Sequence, residues 1–404
     1  MSIVSPSNAF GVGPQTGDRL RVGLLCHPGT GGSVRIAVEL GLALHARGWE
    51  VHVFSRMAPL GMTPPPGIAF HTLKREPCDR VMTNLDLAWS VEDIEDFASC
   101  VLSVARNRSL HVLHFHYAVP FAEVLDKVAR AMGERAPALI GTLHGTDVSD
   151  RVQGQVCAAL TSALQRLDAI TTVSQSHAAL AAHVFGLDRP PRVIANFVDT
   201  DRFFPTSEDV VRPRRPRIIH VSNFRPIKQP ESMARIYIKT RRRLDAALWL
   251  VGDGDGMGAV RQCLSSAGMS ADVLHFGIRH DVENVVRDAD VMLVSSRTES
   301  FCLAALEAAA SGVPVIAPRV GGLSEVIAHR ETGLLFEPEN EDAAADALVE
   351  LLSQPELRGR MRRNAVARAR DLSARSIVPQ YQQLYRDAVS KRVAGRLMSM
   401  AEFG

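Results

Sequence analysis

The sequence predicts an α/β fold of two doubly wound, Rossmann-like domains that face each other across a cleft. Three observations lead there. At 404 residues the chain is longer than one hydrophobic core usually organises. Short apolar, β-branched runs alternate with stretches of helical period along nearly all of it, and near-continuous apolar strands mark parallel sheets covered on both faces. The alternation breaks once, in a Pro/Arg-rich polar stretch at 203–216, and then starts again.

The first series places strands at 20–26, 51–54, 112–115, 138–143, 169–173 and 193–196, with helical patterns such as 33–47 and 156–166 between them. The second places strands at 217–221, 246–251, 273–276, 291–295, 314–317 and 333–336. The tail from Asp371 reads as helix, with Pro379 near its start. Domain boundaries are expected at 1–205 and 206–385, followed by a C-terminal helix over 386–404 that packs back on the first domain.

Composition narrows the function. Lys plus Arg is 46 against 44 for Asp plus Glu, a net charge of +2, which gives no general attraction for nucleic acid or an anionic membrane. The local basic runs at 212–217, 239–243 and 358–370 read as solvated faces. Six cysteines, Cys26, Cys78, Cys100, Cys157, Cys263 and Cys302, form no Cys-x-x-Cys pair and no zinc spacing, so reduced thiols and no metal are expected. The polar, Gly/Ser/Pro-rich start lacks the apolar stretch of a secretory signal, and no run of about eighteen apolar residues spans a membrane. The cytoplasm is the expected location.

Ligands of doubly wound sheets bind at the carboxyl ends of strands, so the residues just after each strand carry the chemistry. His27-Pro28-Gly29-Thr30-Gly31-Gly32-Ser33 follows the first strand and opens a helix. Its glycines let backbone N–H groups approach an anion, although a tight turn without a ligand explains them equally well in isolation. Gly11-Val12-Gly13 precedes the strand and is set aside. Leu143-His144-Gly145-Thr146-Asp147 ends another strand, a position that favours a functional over a core histidine. His116-Tyr117 and Ser174-Gln175-Ser176 give weaker signals of the same kind. Arg225 and Lys228, three apart after the first strand of the second series, are two surface cations if taken alone. At a strand end they suit a diphosphate leaving group.

The most specific stretch is Glu299-Ser300-Phe301-Cys302-Leu303-Ala304-Ala305-Leu306-Glu307. A loop carries Glu299, a helix opens near Cys302, and Glu307 lies one to two turns in. A carboxylate can accept two ribose hydroxyl hydrogens, and the helix start offers N–H groups and positive dipole to phosphate. An amphipathic core helix accounts for the Leu/Ala content but not for acids flanking its start.

These residues resemble the retaining GT-B glycosyltransferases of family 4. The Glu-x7-Glu pattern of Glu299 and Glu307 runs on into Ala-Ser-Gly-Val-Pro-Val-Ile and Gly321-Gly322-Leu-Ser-Glu325-Val, and Val251-Gly-Asp-Gly254 and Glu331-Thr-Gly333 also fit. The likeness extends from about residue 19 to 385. Within the family, the stretches 31–41, 116–120, 142–147, 172–176, 196–199 and 220–228 look like the subfamily that moves N-acetylglucosamine from UDP-GlcNAc to L-malate.

The resemblance implies an acceptor-side first domain and a nucleotide-sugar-binding second domain. Gly31 and Gly32 would approach the donor phosphate, and His144 would contact the donor sugar. Arg225 and Lys228 would bind the diphosphate. Glu299, with the backbone of Phe301, Cys302 and Leu303, would hold sugar and phosphate, Glu307 the ribose, and Gly277 to Arg279 the base. Ser33, Arg35, Tyr117 and Thr142 would face the acceptor. No cofactor is implied, since the nucleotide sugar is a substrate; a homodimer is compatible with this reading.

Two departures bear on it. Val34-Arg35 stands where the subfamily has Gly-Val, beside the acceptor pocket, and Cys302 where the family commonly has Gly. Three alternatives therefore stay open. One is a secondary-metabolite glycosyltransferase using another nucleotide sugar, such as a GDP-sugar, with a small thiol or carboxylate acceptor. The others are a non-catalytic nucleotide-sugar-binding protein and a sugar-nucleotide epimerase.

Overall fold

The computed structural model describes residues 19–29, 31–57, 67–73, 89–152, 157–206 and 215–402. The polar start with Gly11-Val12-Gly13, Thr30, Cys78, Val156 and the middle of the Pro/Arg-rich stretch lie outside the described residues. The chain divides into two units: residues 1–195 with 374–404, and residues 196–373.

The first unit runs β1 (Arg21–Leu25), α1 (Gly32–Ala46), β2 (Glu50–Ser55), β3 (Ile68–Thr72), α2 (Val91–Asn107), β4 (Val112–His116), α3 (Phe121–Met132), β5 (Ala138–Leu143), α4 (Thr146–Ser149), α5 (Ala158–Gln165), β6 (Ala169–Thr172), α6 (Gln175–Phe185) and β7 (Arg192–Val193). Its seven strands lie in the order β3-β2-β1-β4-β5-β6-β7, all parallel. β4 and β5 are buried along their whole length, as strands covered on both faces must be. The start of α2 is fixed by a capping box, in which Ser90 accepts from the Asp93 N–H and Asp93 accepts from the Ser90 N–H. Phe54, Phe97, Phe115, Phe121 and Leu113 pack one side of this core.

The second unit runs β8 (Arg217–Val221), α7 (Pro230–Arg241), β9 (Ala247–Val251), α8 (Met257–Ser266), β10 (Val273–Gly277), α9 (Val282–Val286), β11 (Val291–Leu293), α10 (Leu303–Ala310), β12 (Val315–Pro318), α11 (Leu323–Val326), β13 (Gly333–Phe336), α12 (Glu341–Ser353) and α13 (Pro355–Asp371). Its six strands lie in the order β10-β9-β8-β11-β12-β13, again all parallel. Ile218, Leu248 and Leu250 of the sheet pack with Met233, Tyr237, Val260 and Leu264 of α7 and α8.

Both doubly wound sheets expected from the alternation are present. The strand β3 was not expected: its five residues, Ile-Ala-Phe-His-Thr, follow a run of three prolines that reads as loop. β11 stops at Leu293, short of the expected 295, because the Ser295 hydroxyl turns to the carbonyls of Lys228 and Gln229.

The last helix, α14 (Ala374–Glu402), belongs to the first unit and contains Pro379. Its anchors are polar as well as apolar. The Tyr385 hydroxyl shares a 2.7 Å hydrogen bond with His114 Nδ1 inside the sheet. Arg392 pairs with Asp168 at 2.7 Å and donates to the Ala136 carbonyl, while the same Asp168 carboxylate accepts from the Leu139 N–H. A buried polar atom that loses its partner costs about 1–3 kcal/mol. Tyr385→Phe should therefore lower unfolding free energy by about 1–3 kcal/mol, read from the urea midpoint, because Phe keeps the packing and strands only His114.

Candidate active site

In each sheet the strand order reverses once, between β1 and β4 in the first and between β8 and β11 in the second. Loops leaving those neighbours diverge to opposite faces and leave a crevice at the carboxyl ends, where ligands of such sheets bind.

The second unit's crevice is crossed by an ion pair. Lys228, after β8, donates to Glu299 Oε1, after β11, at 2.6 Å. Ser296 donates to the same oxygen at 2.7 Å. Backbone ties run alongside: Arg297 N–H to the Ile227 carbonyl at 2.9 Å, and Ser295 Oγ to the Lys228 carbonyl at 2.7 Å. Burial works against the Lys228 charge, but the Glu299 carboxylate outweighs it and holds the ammonium above its ordinary pKa, while the positive charge of Arg225 opposes this. The side chains of Arg225, Lys228, Glu299, Cys302 and Glu307 thus share one electrostatic neighbourhood.

The Glu299 loop is clamped from below by two glycines. The Gly322 N–H donates to the Glu299 carbonyl at 2.9 Å. A Cβ at Gly321 would stand 2.0 Å from that carbonyl oxygen, and one at Gly322 2.1 Å from the oxygen of Ser300. Val251-Gly-Asp-Gly254 performs the same service for the β8 loop, since a Cβ at Gly252 or Gly254 would meet the carbonyl of Ser222 or Asn223. Gly252 also donates to the Gly277 carbonyl at 2.7 Å, so the β10 end is continuous with this wall. Gly277 and Arg279 lie exposed there; Arg279 pairs bidentately with Asp281.

Helix α10 points its start at the same place. Phe301 is buried and Cys302 caps the helix at φ 77°, in the left-handed region. That conformation costs a residue with a Cβ roughly 1–2 kcal/mol, a cost glycine would not carry. The cap uses no side chain, so first-turn N–H groups at Leu303 and Ala304 remain for an anion. Glu307, one turn on, is only 5% exposed.

The first unit's crevice is lined by histidines. His27, after β1, reaches the Val119 carbonyl beyond β4 at 2.8 Å. His116 Nδ1 and His144 Nε2 are 3.0 Å apart with stacked rings. Burial holds both well below the ordinary histidine pKa, and His27 and His177 at about 4, so the cluster is neutral at pH 7. A neutral imidazole exchanges hydrogen bonds with hydroxyls without adding charge. Asp147 orders this corner: its carboxylate accepts from the N–H groups of His144, Gly145 and Ala118. Tyr117, at φ 96°, shares a 3.0 Å hydrogen bond with Thr146.

Among the described residues, seven without glycine's freedom have positive φ, and four of them, Tyr117, Phe224, Gln229 and Cys302, stand on loops at the two reversals. Such strain persists where packing over-determines the backbone, commonly at functional sites.

The structure brings together Arg225, Lys228, Glu299, Phe301, Cys302, Leu303 and Glu307. Gly31 and Gly32 sit exposed at the uncapped start of α1, with Ser33 beside them. Arg35 lies along α1 with its Nε on Glu39 at 2.9 Å. Thr142, near the end of β5, has a buried side chain bonded to His114 Nε2 at 2.7 Å and to Thr171 at 2.6 Å. Sequence reasoning passed over Ser295 and Ser296; the signal available was two hydroxyls at the end of a strand beside the reversal.

Family comparison agrees with this geometry. The Glycosyltransferase Family 4 model matches residues 30–202 and the Glycosyl transferases group 1 model residues 206–368. N-acetyl-alpha-D-glucosaminyl L-malate synthase of Bacillus anthracis is 31% identical over 94% of this chain and 100% of that protein. The chain belongs to glycosyltransferase family 4. This glycosyltransferase shares its GT-B fold with a sucrose-phosphate synthase of Thermosynechococcus elongatus (TM-score 0.78, 22% identity, 92% of this chain and 100% of that one). Anabaena HepE, solved with UDP-glucose, has the same fold (TM-score 0.74, 16% identity, 91% and 100%). The family 4 enzyme is a hexosyltransferase, and no helix among its described residues is long and apolar enough to cross a membrane.

Two outcomes are expected. Gly322→Ala should displace the Glu299–Phe301 backbone and raise the dissociation constant for nucleotide sugar about tenfold or more, measured by calorimetry. Burial raises Asp147 from 3.8 to about 6, against the lowering by its N–H partners. The folded state therefore holds that proton more tightly, so this group's contribution to stability is greatest below pH 4 and falls as pH rises from 4 to 6. Asp147→Asn should remove that decline, about 3 kcal/mol over the interval, in urea titrations of both proteins at each pH.

Proposed function

We propose that this glycosyltransferase moves N-acetylglucosamine from UDP-GlcNAc to a small carboxylate acceptor, L-malate first among candidates, with retention and without a metal. The observation that carries the donor half is the Lys228–Glu299 pair at the β8/β11 reversal, beside Arg225 and the open start of α10. The Bacillus anthracis relative, named for GlcNAc transfer to L-malate and matched end to end, supports the choice of sugar and acceptor.

In this reading Arg225 and Lys228 take the diphosphate, and the N–H groups at Leu303 and Ala304 share its charge. Glu307 accepts from the ribose hydroxyls, and Gly277 to Arg279 border the base. Glu299 and His144 hold sugar hydroxyls, and Gly31 and Gly32 meet the phosphate. Ser33, Arg35, Tyr117 and Thr142 serve the acceptor. As the bond from C1 to the phosphate oxygen breaks, the acceptor oxygen bonds C1 on the same face and its proton passes to the leaving phosphate. Two cations and a helix dipole neutralise the leaving group, which is the work a divalent ion does elsewhere.

Arg35 supports a second reading of the acceptor. Its guanidinium already pairs with Glu39, both side chains being largely buried. An acidic acceptor must share that cation with Glu39, whereas a neutral or thiol acceptor, with a GDP-sugar or other donor, leaves the pair intact.

Mass spectrometry of mixtures of the enzyme with UDP-GlcNAc, UDP-glucose or GDP-mannose and with L-malate or small thiols tests both readings. GlcNAc-malate formed equally in the presence of EDTA is expected. Product from another pair alone overturns the malate reading, and a donor epimerised with no acceptor product, read by proton NMR of the sugar ring because epimers share one mass, points to an epimerase. Glu307→Ala should weaken nucleotide-sugar binding about tenfold; unchanged affinity would remove that residue from the ribose site.

A further inference from the structure

The pair at the β8/β11 reversal has a third member that the donor reading leaves without a task. Glu299 Oε1 receives two donors at once, the Lys228 ammonium at 2.6 Å and the Ser296 hydroxyl at 2.7 Å. Ser296 is 2% exposed, and the Glu299 side chain is 9% exposed against 26% for Lys228. The ammonium is therefore the member of the trio with access to an incoming ligand.

A diphosphate offers several charged oxygens and competes strongly for an ammonium. When Lys228 turns to it, Glu299 is left nearly buried without its cation, a costly state unless other donors remain. The Ser296 hydroxyl is a neutral donor already in place, fixed at the end of β11 and unable to follow the phosphate. Its neighbour Ser295 holds the other side, bonding the carbonyls of Lys228 and Gln229, where the backbone is left-handed at φ 47°.

We propose that Ser296 is a positioning residue that keeps the Glu299 carboxylate aimed at the donor sugar once the diphosphate has drawn Lys228 away. The inference rests on the donor reading above and assigns Ser296 to the sugar half of the ligand, not to its nucleotide half. A merely structural serine would affect both halves alike.

The test compares ligands with and without the sugar on the full-length protein. Calorimetry gives dissociation constants of wild type, Ser296→Ala, Ser296→Thr and Glu299→Gln for UDP and UDP-GlcNAc, and likewise for GDP and GDP-mannose. Ser296→Ala is expected to bind the nucleoside diphosphate within about twofold of wild type while losing roughly tenfold for the nucleotide sugar. Ser296→Thr, which keeps the hydroxyl, should recover most of that loss. Equal losses for both ligands, or a nucleotide-sugar affinity within twofold of wild type, overturn the proposal. Glu299→Gln separates the two levels: if it leaves sugar-nucleotide binding unchanged, the donor reading of Glu299 fails. Wild-type protein that binds none of the four ligands overturns the donor reading and this proposal with it.

Discussion

A lysine and a glutamate on different loops meet where the second sheet reverses its strand order, and much of that unit is arranged around their contact. β8 delivers Lys228 and β11 delivers Glu299 because these strands are neighbours whose connections run opposite ways. Hydrogen bonds from Ser295 and Arg297 stitch the two loops together, and Gly321 and Gly322 admit the Glu299 loop at a distance no side chain allows. Opposite charges so placed hold the two loops of the crevice together. Within that contact the Ser296 hydroxyl is a second donor to the same Glu299 oxygen.

The first unit solves a similar geometric problem with neutral imidazoles around one buried carboxyl. Its reversal lies between β1 and β4, and its loops meet through His27, His116, His144 and Asp147. Burial removes the charge from the imidazoles, leaving directional hydrogen bonding as their chemistry. A hydrogen-bonded chain from Tyr385 through His114 and Thr142 to Thr171 supports them from behind. The C-terminal helix is therefore part of the first unit's interior and not an appendage to the second.

Much of this was legible in the amino-acid order. Strand and helix periods differ enough that alternation revealed both sheets, and Glu299, Glu307, Arg225 and Lys228 stood out because charged residues at strand ends are poor core material. What escaped notice has physical reasons. β3 is an edge strand with ordinary residues after a proline run, so nothing local distinguishes it from loop. The partners of Thr142, His114 and Thr171, lie on neighbouring strands and are set by the fold. Ser295 and Ser296 find their partners, the Lys228 and Gln229 carbonyls and the Glu299 carboxylate, only in the fold, and their place at a strand end was the one local sign of them.

Cys302 has a chemical consequence of its own. Its thiol lies within the field of Glu299, Glu307 and Lys228, and burial, reinforced by the two carboxylates, pushes its pKa to about 12. Thiolate is the species that attacks electrophiles, metals and disulfides, and here it is vanishingly scarce at neutral pH. The sulfur therefore sits beside the Glu299 carboxylate as the neutral thiol, the less nucleophilic form.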